Sequence, residues 1–480
     1  MRLCGALVYT TNAEFMRECL TNSQHGYYTN NVEIGPFQDF TTAPTTTPMF
    51  GTLLAKWVEW AHKGLGSPRN FNLVELGPGT GALIRPLFKA LPDSVADAAE
   101  IHLVEVSEKL RKAQAKALDV DMSSMNAYKF VPDDEMMEEY TKYRIPYHNG
   151  NILTVEKDAS LEVSSEWTMK DGLQCETGVI MMDGDRTAAV TWHSHVSTLP
   201  RGPVIVIANE FFDALPVHQF QWGSKKKKQQ QKEEEEEEEE EEGDHQLFSQ
   251  NMVVVEEQRS AMPTSSNDSD STFSGSSSSS SNNLFSLNTK FMETTPPPHI
   301  SFVDECKSKD CFGFELCPEA LDVARFLSKR MEQDGGASLV IDYGDETTTD
   351  TLRALSKKDN HNNIIIKAAD VTADVHFGSL ALAFEEGGEG IKCHPMQPQA
   401  YLLTELMGES IKSYLEIMRA GYREDMDEEE ASIYHLAPLV DRQGMGSYFK
   451  CICAAPKSWG VPLGWNMREM VLMMEKAMQK

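Results

Sequence analysis

The chain has 480 residues, 40% of them hydrophobic, enough for one large or two ordinary packed domains. Its 74 acidic and 44 basic side chains give a formal charge of −30. That balance argues against a nucleic-acid backbone as partner and favours a basic protein segment or an arginine side chain.

No apolar run approaches the roughly 18 residues of a membrane span. No secretory signal is visible, and "MRLCGALVYT" is too short for a convincing mitochondrial transit peptide. The nine cysteines form no C-x-x-C pair. They read as reduced, mostly buried thiols rather than a disulfide framework, and no metal site is expected.

In chain order, Thr11 to Leu20 reads as a helix, with Thr11 and Glu14 as its capping box. A Pro/Thr-rich loop leads to a second apolar helix over roughly Met49 to Ala61. Phe71 to Glu75 then reads as a buried strand, followed by Gly77, Gly79 and Gly81 and by apolar residues at helical spacing. Strand, glycine loop and helix start form the nucleotide-cradling device of doubly wound α/β folds. "IHLVEV" (Ile101–Val106) is the next strand, and a Lys/Ala-rich helix follows. Residues 119–190 show no sustained period; a surface region with a hairpin around Gly178–Val190 is expected. Val204–Ile207 is β-branched and apolar on both faces, as a central parallel strand should be.

Residues 223–299 are of low complexity, with ten consecutive glutamates and a serine-rich run, and carry 7 basic and 16 acidic side chains. Such a segment cannot bury enough apolar area to offset its ordering entropy, so a disordered insertion is expected. Only "HQLFSQNMVVVEEQ" within it looks like a strand pair. A helix over Pro318–Gln333, a strand over Ala337–Asp342, a short strand and helix start in "IIIKAADVTADVHFGSLALAF", and a late strand in "MGSYFKCICAAP" follow. The tail from Trp465 reads as an amphipathic helix striped with methionines. The expected organisation is therefore an N-terminal helical cap and first part of an α/β sheet domain (11–222), the insertion (223–299), the remainder of the sheet domain (300–456) and a C-terminal amphipathic helix (457–480).

The glycine spacing fits two cofactors. Gly77, Gly79 and Ala82 satisfy the dinucleotide pattern G-x-G-x-x-[GA], and Glu75 with the three glycines satisfies E-x-G-x-G-x-G, frequent in S-adenosylmethionine (SAM) sites. Glu105, at the next strand end, suits ribose hydroxyls in either class. Glu75 discriminates. A carboxylate two residues before the first glycine can meet the cationic methionyl part of SAM, whereas it would repel a pyrophosphate. The third cluster, "ANEFFDALP", supplies Asn209, Glu210 and Asp213 after the central strand. Carboxylates there suit a guanidinium nucleophile, which is charged at neutral pH and is held and oriented by bidentate acceptors. Capping of a following helix is the structural alternative for Asn209 and Glu210.

Eight ordered blocks extend this reading, among them "AEFMRECLTNSQHGYYT", "QDFTTAPTTTPMFGTLLAKW", "LVELGPGTGAL", "HLVEVSEKLRKAQ", "ANEFFDALPVHQF" and "GGASLVIDYG". Together they resemble the MidA-like SAM-dependent methyltransferase family. The resemblance implies a Rossmann-like class I SAM-dependent methyltransferase sheet with an N-terminal helical cap and large insertions. It implies SAM contacts at Glu75, Gly77, Gly79, Thr80, Gly81 and Glu105, and a substrate pocket with Asn209, Glu210 and Asp213. It also implies protein-arginine symmetric dimethylation of a core subunit of respiratory complex I, and an address in the mitochondrial matrix. A non-catalytic SAM-binding complex I assembly factor is the alternative. It is motivated by two departures, Gln38 for the family's glycine and Thr45 for its glutamate.

Overall fold

The computed structural model describes residues 8–22, 26–30, 42–120, 126–130, 173–181, 187–223, 247–257, 285–294, 313–355, 370–441 and 443–466. Its centre is a mixed sheet of ten strands. Along the main path the order is Ile391–Pro398, Phe449–Pro456, Gly336–Asp345, Val204–Asn209, Phe71–Leu76, Ala99–Val104, Thr187–His193, Leu173–Met181 and Asn126–Phe130. The five strands from Gly336–Asp345 to Thr187–His193 run parallel. Phe449–Pro456 is antiparallel to both neighbours, and the Leu173–Met181 and Thr187–His193 pair forms the expected hairpin.

Strand alternation explains the layering. Leu73, Ile101, Leu103, Ile205, Ile207 and Leu339 point to one face and pack with the Met49–Gly64 helix, whose Leu54, Trp57, Val58 and Ala61 are buried. Val74, Leu76, Val204, Val206, Ala208 and Val340 point to the other and pack with the Pro318–Asp334 and Phe377–Gly387 helices. Apolar residues at both parities are what a strand covered on both faces requires.

A second, antiparallel sheet joins Val8–Thr11, Leu247–Glu257, His218–Gly223 and Gly313–Leu316, with Phe285–Thr294 on the free side of Leu247–Glu257. The expected strand pair inside the low-complexity region is thus realised differently. "LFSQNMVVVEE" is one strand, and its partner is supplied by Phe285–Thr294 from the part read as featureless. The polyglutamate and serine tracts, Gln38, and the methionine stripe beyond residue 466 lie outside the described residues.

The Asn12–Thr21 helix carries the predicted capping box: Thr11 Oγ1 accepts from Glu14 N–H and Glu14 accepts from Thr11 N–H, both at 3.1 Å. Its buried Phe15, Met16, Cys19 and Leu20 pack on Val217, Val371 and Ala373. This holds the N-terminal cap against the carboxyl-end side of the sheet. Among the described residues Cys19, Cys393, Cys451 and Cys453 are buried free thiols. No helix among them is long and apolar enough to cross a membrane, and no cluster of three or more His, Cys, Asp or Glu is arranged to hold a metal ion.

Candidate active site at the strand switch point

The chain leaves Phe71–Leu76 toward Ala99–Val104 on one side, and Val204–Asn209 toward Gly336–Asp345 on the other. Strand order therefore reverses between Phe71–Leu76 and Val204–Asn209, and ligands of open α/β sheets sit outside the carboxyl ends at such a point. The register places Leu76 beside both Val104 and Ala208, and Asn209 beside Ile341. Gly77, Glu105, Asn209 and Glu210 accordingly come together at one rim.

The glycine loop is shaped for a ligand. Gly77, Gly79 and Gly81 have φ of 62°, 53° and 82°, a region that costs an L side chain and that glycine enters freely. A Cβ on Gly77 would lie 2.8 Å from Phe211, so the loop and the Asn209–Asp213 turn touch. A Cβ on Gly79 would meet nothing within 4 Å, so the space beyond its Cα is open. Thr80 is half-buried on the same turn.

Gln114, buried on the Glu108–Ala117 helix, holds this loop in place. Its Nε2 donates to Gly79 O at 2.7 Å and to Glu105 Oε2 at 3.3 Å, and its Oε1 accepts from Trp192 Nε1 at 2.8 Å. Sequence reading passed over Gln114. The available signal was a polar residue on the inner stripe of that helix, in line with Leu110 and Arg111.

Glu75 is buried, 4% exposed, on the face that also carries Leu73, Leu103 and Ile207. Burial pushes its pKa up to about 8, and its Oε2 has no hydrogen-bond partner among the described residues. Such an orphaned acceptor is costly unless a ligand answers it. Glu105 accepts from Ser107 N–H at 2.8 Å as well as from Gln114. Burial raises its pKa to about 7 against the pull of these donors. An open glycine cradle, an unanswered carboxylate beside it and a second carboxylate at the neighbouring strand end fit a cationic nucleoside such as SAM better than a pyrophosphate.

The acceptor side is richer in acid than the sequence indicated. Glu210 sits at φ 52°, a strained value for a non-glycine residue of the kind found at functional sites. Its N–H donates to Ile341 O at 2.9 Å, and its Oε1 accepts from Ala43 N–H and Asn209 Nδ2, each at 3.2 Å. Burial, with Asp213 nearby, raises its pKa to about 8. Asn209 thus orients Glu210 instead of capping a helix. The cap of the Phe212–Ala214 turn is Asp342, whose Oδ2 accepts from the N–H groups of Phe211, Phe212 and Asp213 at 3.0–3.3 Å. Asp342, which the sequence placed only at a strand end, has its second oxygen taken by Tyr343 N–H.

Asp213 Oδ2 accepts from Tyr343 Oη and from Thr372 Oγ1, the latter at 2.8 Å, while its Oδ1 is buried with no hydrogen-bond partner among the described residues. Desolvation raises the pKa of Asp213 as well. Tyr28 Oη donates to Asp370 Oδ2 at 3.0 Å, and the Asp370 charge is felt at Glu210. Tyr28, Tyr343, Asp370 and Thr372 were given no site role in the sequence: Tyr28 and Tyr343 fall within blocks that carry the family resemblance, but the four are remote from one another in the chain and nothing local shows that they meet. Arg353 stacks over the Tyr343 ring at 4.9 Å but is neutralised by Asp374 at 2.6 Å.

Thr45, the departure from the family's glutamate, has a local role. Its Oγ1 accepts from Thr42 N–H at 3.0 Å, the bond that the N3 glutamate supplies in a capping box.

Comparison with known proteins bears on the fold and the family. A Burkholderia thailandensis protein solved with S-adenosyl-homocysteine bound superposes with a TM-score of 0.58 at 16% identity, covering 95% of this chain and 90% of that one. A native crystal structure from the same organism gives 0.54 at 16% identity, covering 95% and 89%. These likenesses show the fold. In sequence, the chain is 28% identical over 455 residues to the Drosophila melanogaster protein named "Protein arginine methyltransferase NDUFAF7 homolog, mitochondrial", spanning 92% of this chain and 81% of that protein. It is 27% identical over 455 residues to the Mus musculus "Protein arginine methyltransferase NDUFAF7, mitochondrial", spanning 93% and 81%. A family model described as "Putative S-adenosyl-L-methionine-dependent methyltransferase" matches residues 53–394, most of the sheet domain. The chain belongs to this family, and it is a SAM-dependent methyltransferase.

Proposed function

We propose that this chain methylates arginine side chains of a protein substrate, and that the substrate is a core subunit of respiratory complex I, symmetrically dimethylated in the mitochondrial matrix. The observation that carries the arginine reading is the convergence of Glu210 and Asp213, with the Asp370 charge also felt at Glu210, on the turn whose Phe211 touches the glycine loop. Carboxylates gathered in this way suit a guanidinium, which offers several N–H donors and a positive charge. The names of the relatives support the same acceptor, and the address and the complex I target rest on those names and on the family resemblance.

In this reading Glu75, Gly77, Gly79, Thr80, Gly81 and Glu105 hold the methyl donor. The donor, when bound, supplies an electrophilic methyl carbon on a sulfonium sulfur. Glu210 and Asp213 accept N–H bonds from the guanidinium and aim one nitrogen along the line of displacement, so that alignment and charge placement supply most of the rate. Asn209 keeps Glu210 turned toward the crevice. As the N–C bond forms and the S–C bond breaks, the nitrogen loses a proton. Glu210, ionised by its pairing with the guanidinium, can take it, and the burial that raises its pKa makes it a stronger base than an ordinary carboxylate.

The test is to incubate the full-length chain with labelled SAM and complex I core subunits and to map the label. The expected product is symmetric dimethylarginine, lost in Gly79→Val, whose branched side chain would enter the open space beside the loop from a left-handed backbone. Label on another residue type overturns the arginine assignment. A Gly79→Val variant that supports complex I assembly as well as wild type would favour the non-catalytic assembly role.

A further inference from the structure

One residue touches both halves of the crevice. Tyr28 lies in the short Tyr27–Asn30 helix and is half-buried. Its carbonyl accepts from Ser107 Oγ at 2.7 Å, and Ser107 N–H donates to Glu105 Oε1 at 2.8 Å. Its phenol donates to Asp370 Oδ2 at 3.0 Å. Asp370 begins a three-residue strand whose last member, Thr372, donates to Asp213 Oδ2 at 2.8 Å. Tyr343 Oη bonds both Asp213 and Thr372. A continuous path of hydrogen bonds and one short strand therefore joins Glu105, on the donor side, to Asp213, on the acceptor side. It passes through Tyr28 by main chain at one end and side chain at the other.

We infer that Tyr28 is a positioning residue that couples the two half-sites: ordering Glu105 and Ser107 around a bound nucleoside fixes the Tyr28 main chain, and its phenol then sets Asp370 and the Thr372–Asp213 pair for the guanidinium. The inference rests on the arginine reading for its acceptor half only. Coupling of this kind is reciprocal, so a guanidinium must tighten the nucleoside by the same factor by which the nucleoside tightens the guanidinium. It also follows that the phenol, and not the ring, carries the effect. The ring's edge contact with Tyr27, 5.2 Å between centroids, survives in Tyr28→Phe.

The test uses the full-length chain, S-adenosylhomocysteine and n-butylguanidinium. In calorimetry, n-butylguanidinium should lower the wild-type Kd for S-adenosylhomocysteine by about fivefold or more. Tyr28→Phe should bring that factor close to one while leaving the Kd measured alone within about twofold. In turnover, Tyr28→Phe should raise the acceptor KM roughly tenfold, the loss of one hydrogen bond to a carboxylate, with a smaller change in kcat. Asp370→Asn should abolish the effect of the tyrosine change, so that the double variant is no worse than Asp370→Asn alone. Hydrogen exchange supplies an arm that needs no acceptor: S-adenosylhomocysteine should slow exchange at residues 371–373 in wild type and not in Tyr28→Phe. Unchanged coupling together with unchanged protection in Tyr28→Phe overturns the inference, as does a loss of nucleoside affinity as large as that of Gly79→Val. Wild type that neither methylates arginine nor responds to n-butylguanidinium defeats the acceptor reading instead, and the exchange arm still decides the Tyr28 link.

Discussion

Glu75 sets stability against binding at a single position. The unfolded chain releases its proton near the ordinary value of 4.5, while the folded protein keeps it until about pH 8. Between those values the native state holds one more proton than the unfolded state. Stability in the absence of ligand therefore falls by about 1.4 kcal/mol per pH unit from this group, and levels off once the native carboxyl ionises. Glu105 and Glu210, raised to about 7 and 8, act in the same direction. Ligand-free Glu75→Gln should thus melt higher than wild type at pH 8, with the gap closing toward pH 5, and should bind SAM at least about tenfold more weakly. Thermal melts across that range together with calorimetry check both halves; a variant that is less stable at pH 8 contradicts the assignment. Glu75 stood out as a candidate in the sequence because a carboxylate directly before a glycine loop has little structural use. Gln114, which ties the same loop to Glu105 and Trp192, was not: a glutamine on a helix stripe has no signature until its three partners are in place.

At the scale of elements, the four-residue Ala43–Thr46 helix is a support for Glu210, since Ala43 N–H donates to the Glu210 carboxylate. Thr45 closes this helix onto Thr42, and Thr47 Oγ1 ties its end to Ser432 O at 2.7 Å. Thr45→Ala should cost about 0.5–1 kcal/mol and lower turnover. Thr45→Glu, which restores the family pattern, should keep both near wild type. Denaturant melts and initial rates separate the two outcomes, and a large gain in rate from Thr45→Glu would mean that the glutamate contacts substrate in relatives. Helices and strands with strong periodic signals, such as Asn12–Thr21, Pro318–Asp334 and Phe449–Pro456, lie where the pattern places them. The Phe285–Thr294 strand was missed because its pairing partner, Leu247–Glu257, is separated from it by a run of serines, and pairing across that distance leaves no local mark.

For the molecule as a whole, the formal charge of −30 makes long-range attraction for a basic acceptor the expected behaviour. Raising ionic strength from about 50 to 500 mM shortens the screening length several-fold. The acceptor KM should then rise roughly threefold or more while the Kd for neutral S-adenosylhomocysteine stays nearly constant. Equal salt sensitivity of both would remove the electrostatic account of substrate capture. The sequence by itself determined the class of the fold and the methyl donor, because those depend on contiguous signals: apolar strands of both parities, three glycines after one of them, and a carboxylate just before the turn. Only the tertiary structure decided which acids meet. Glu210 and Asp213 follow one strand, Asp342 ends another and caps their turn, and Tyr28 and Asp370 arrive from opposite ends of the chain. Their meeting is a consequence of sheet order and register, which are settled by packing over the whole sheet and not by neighbours in sequence.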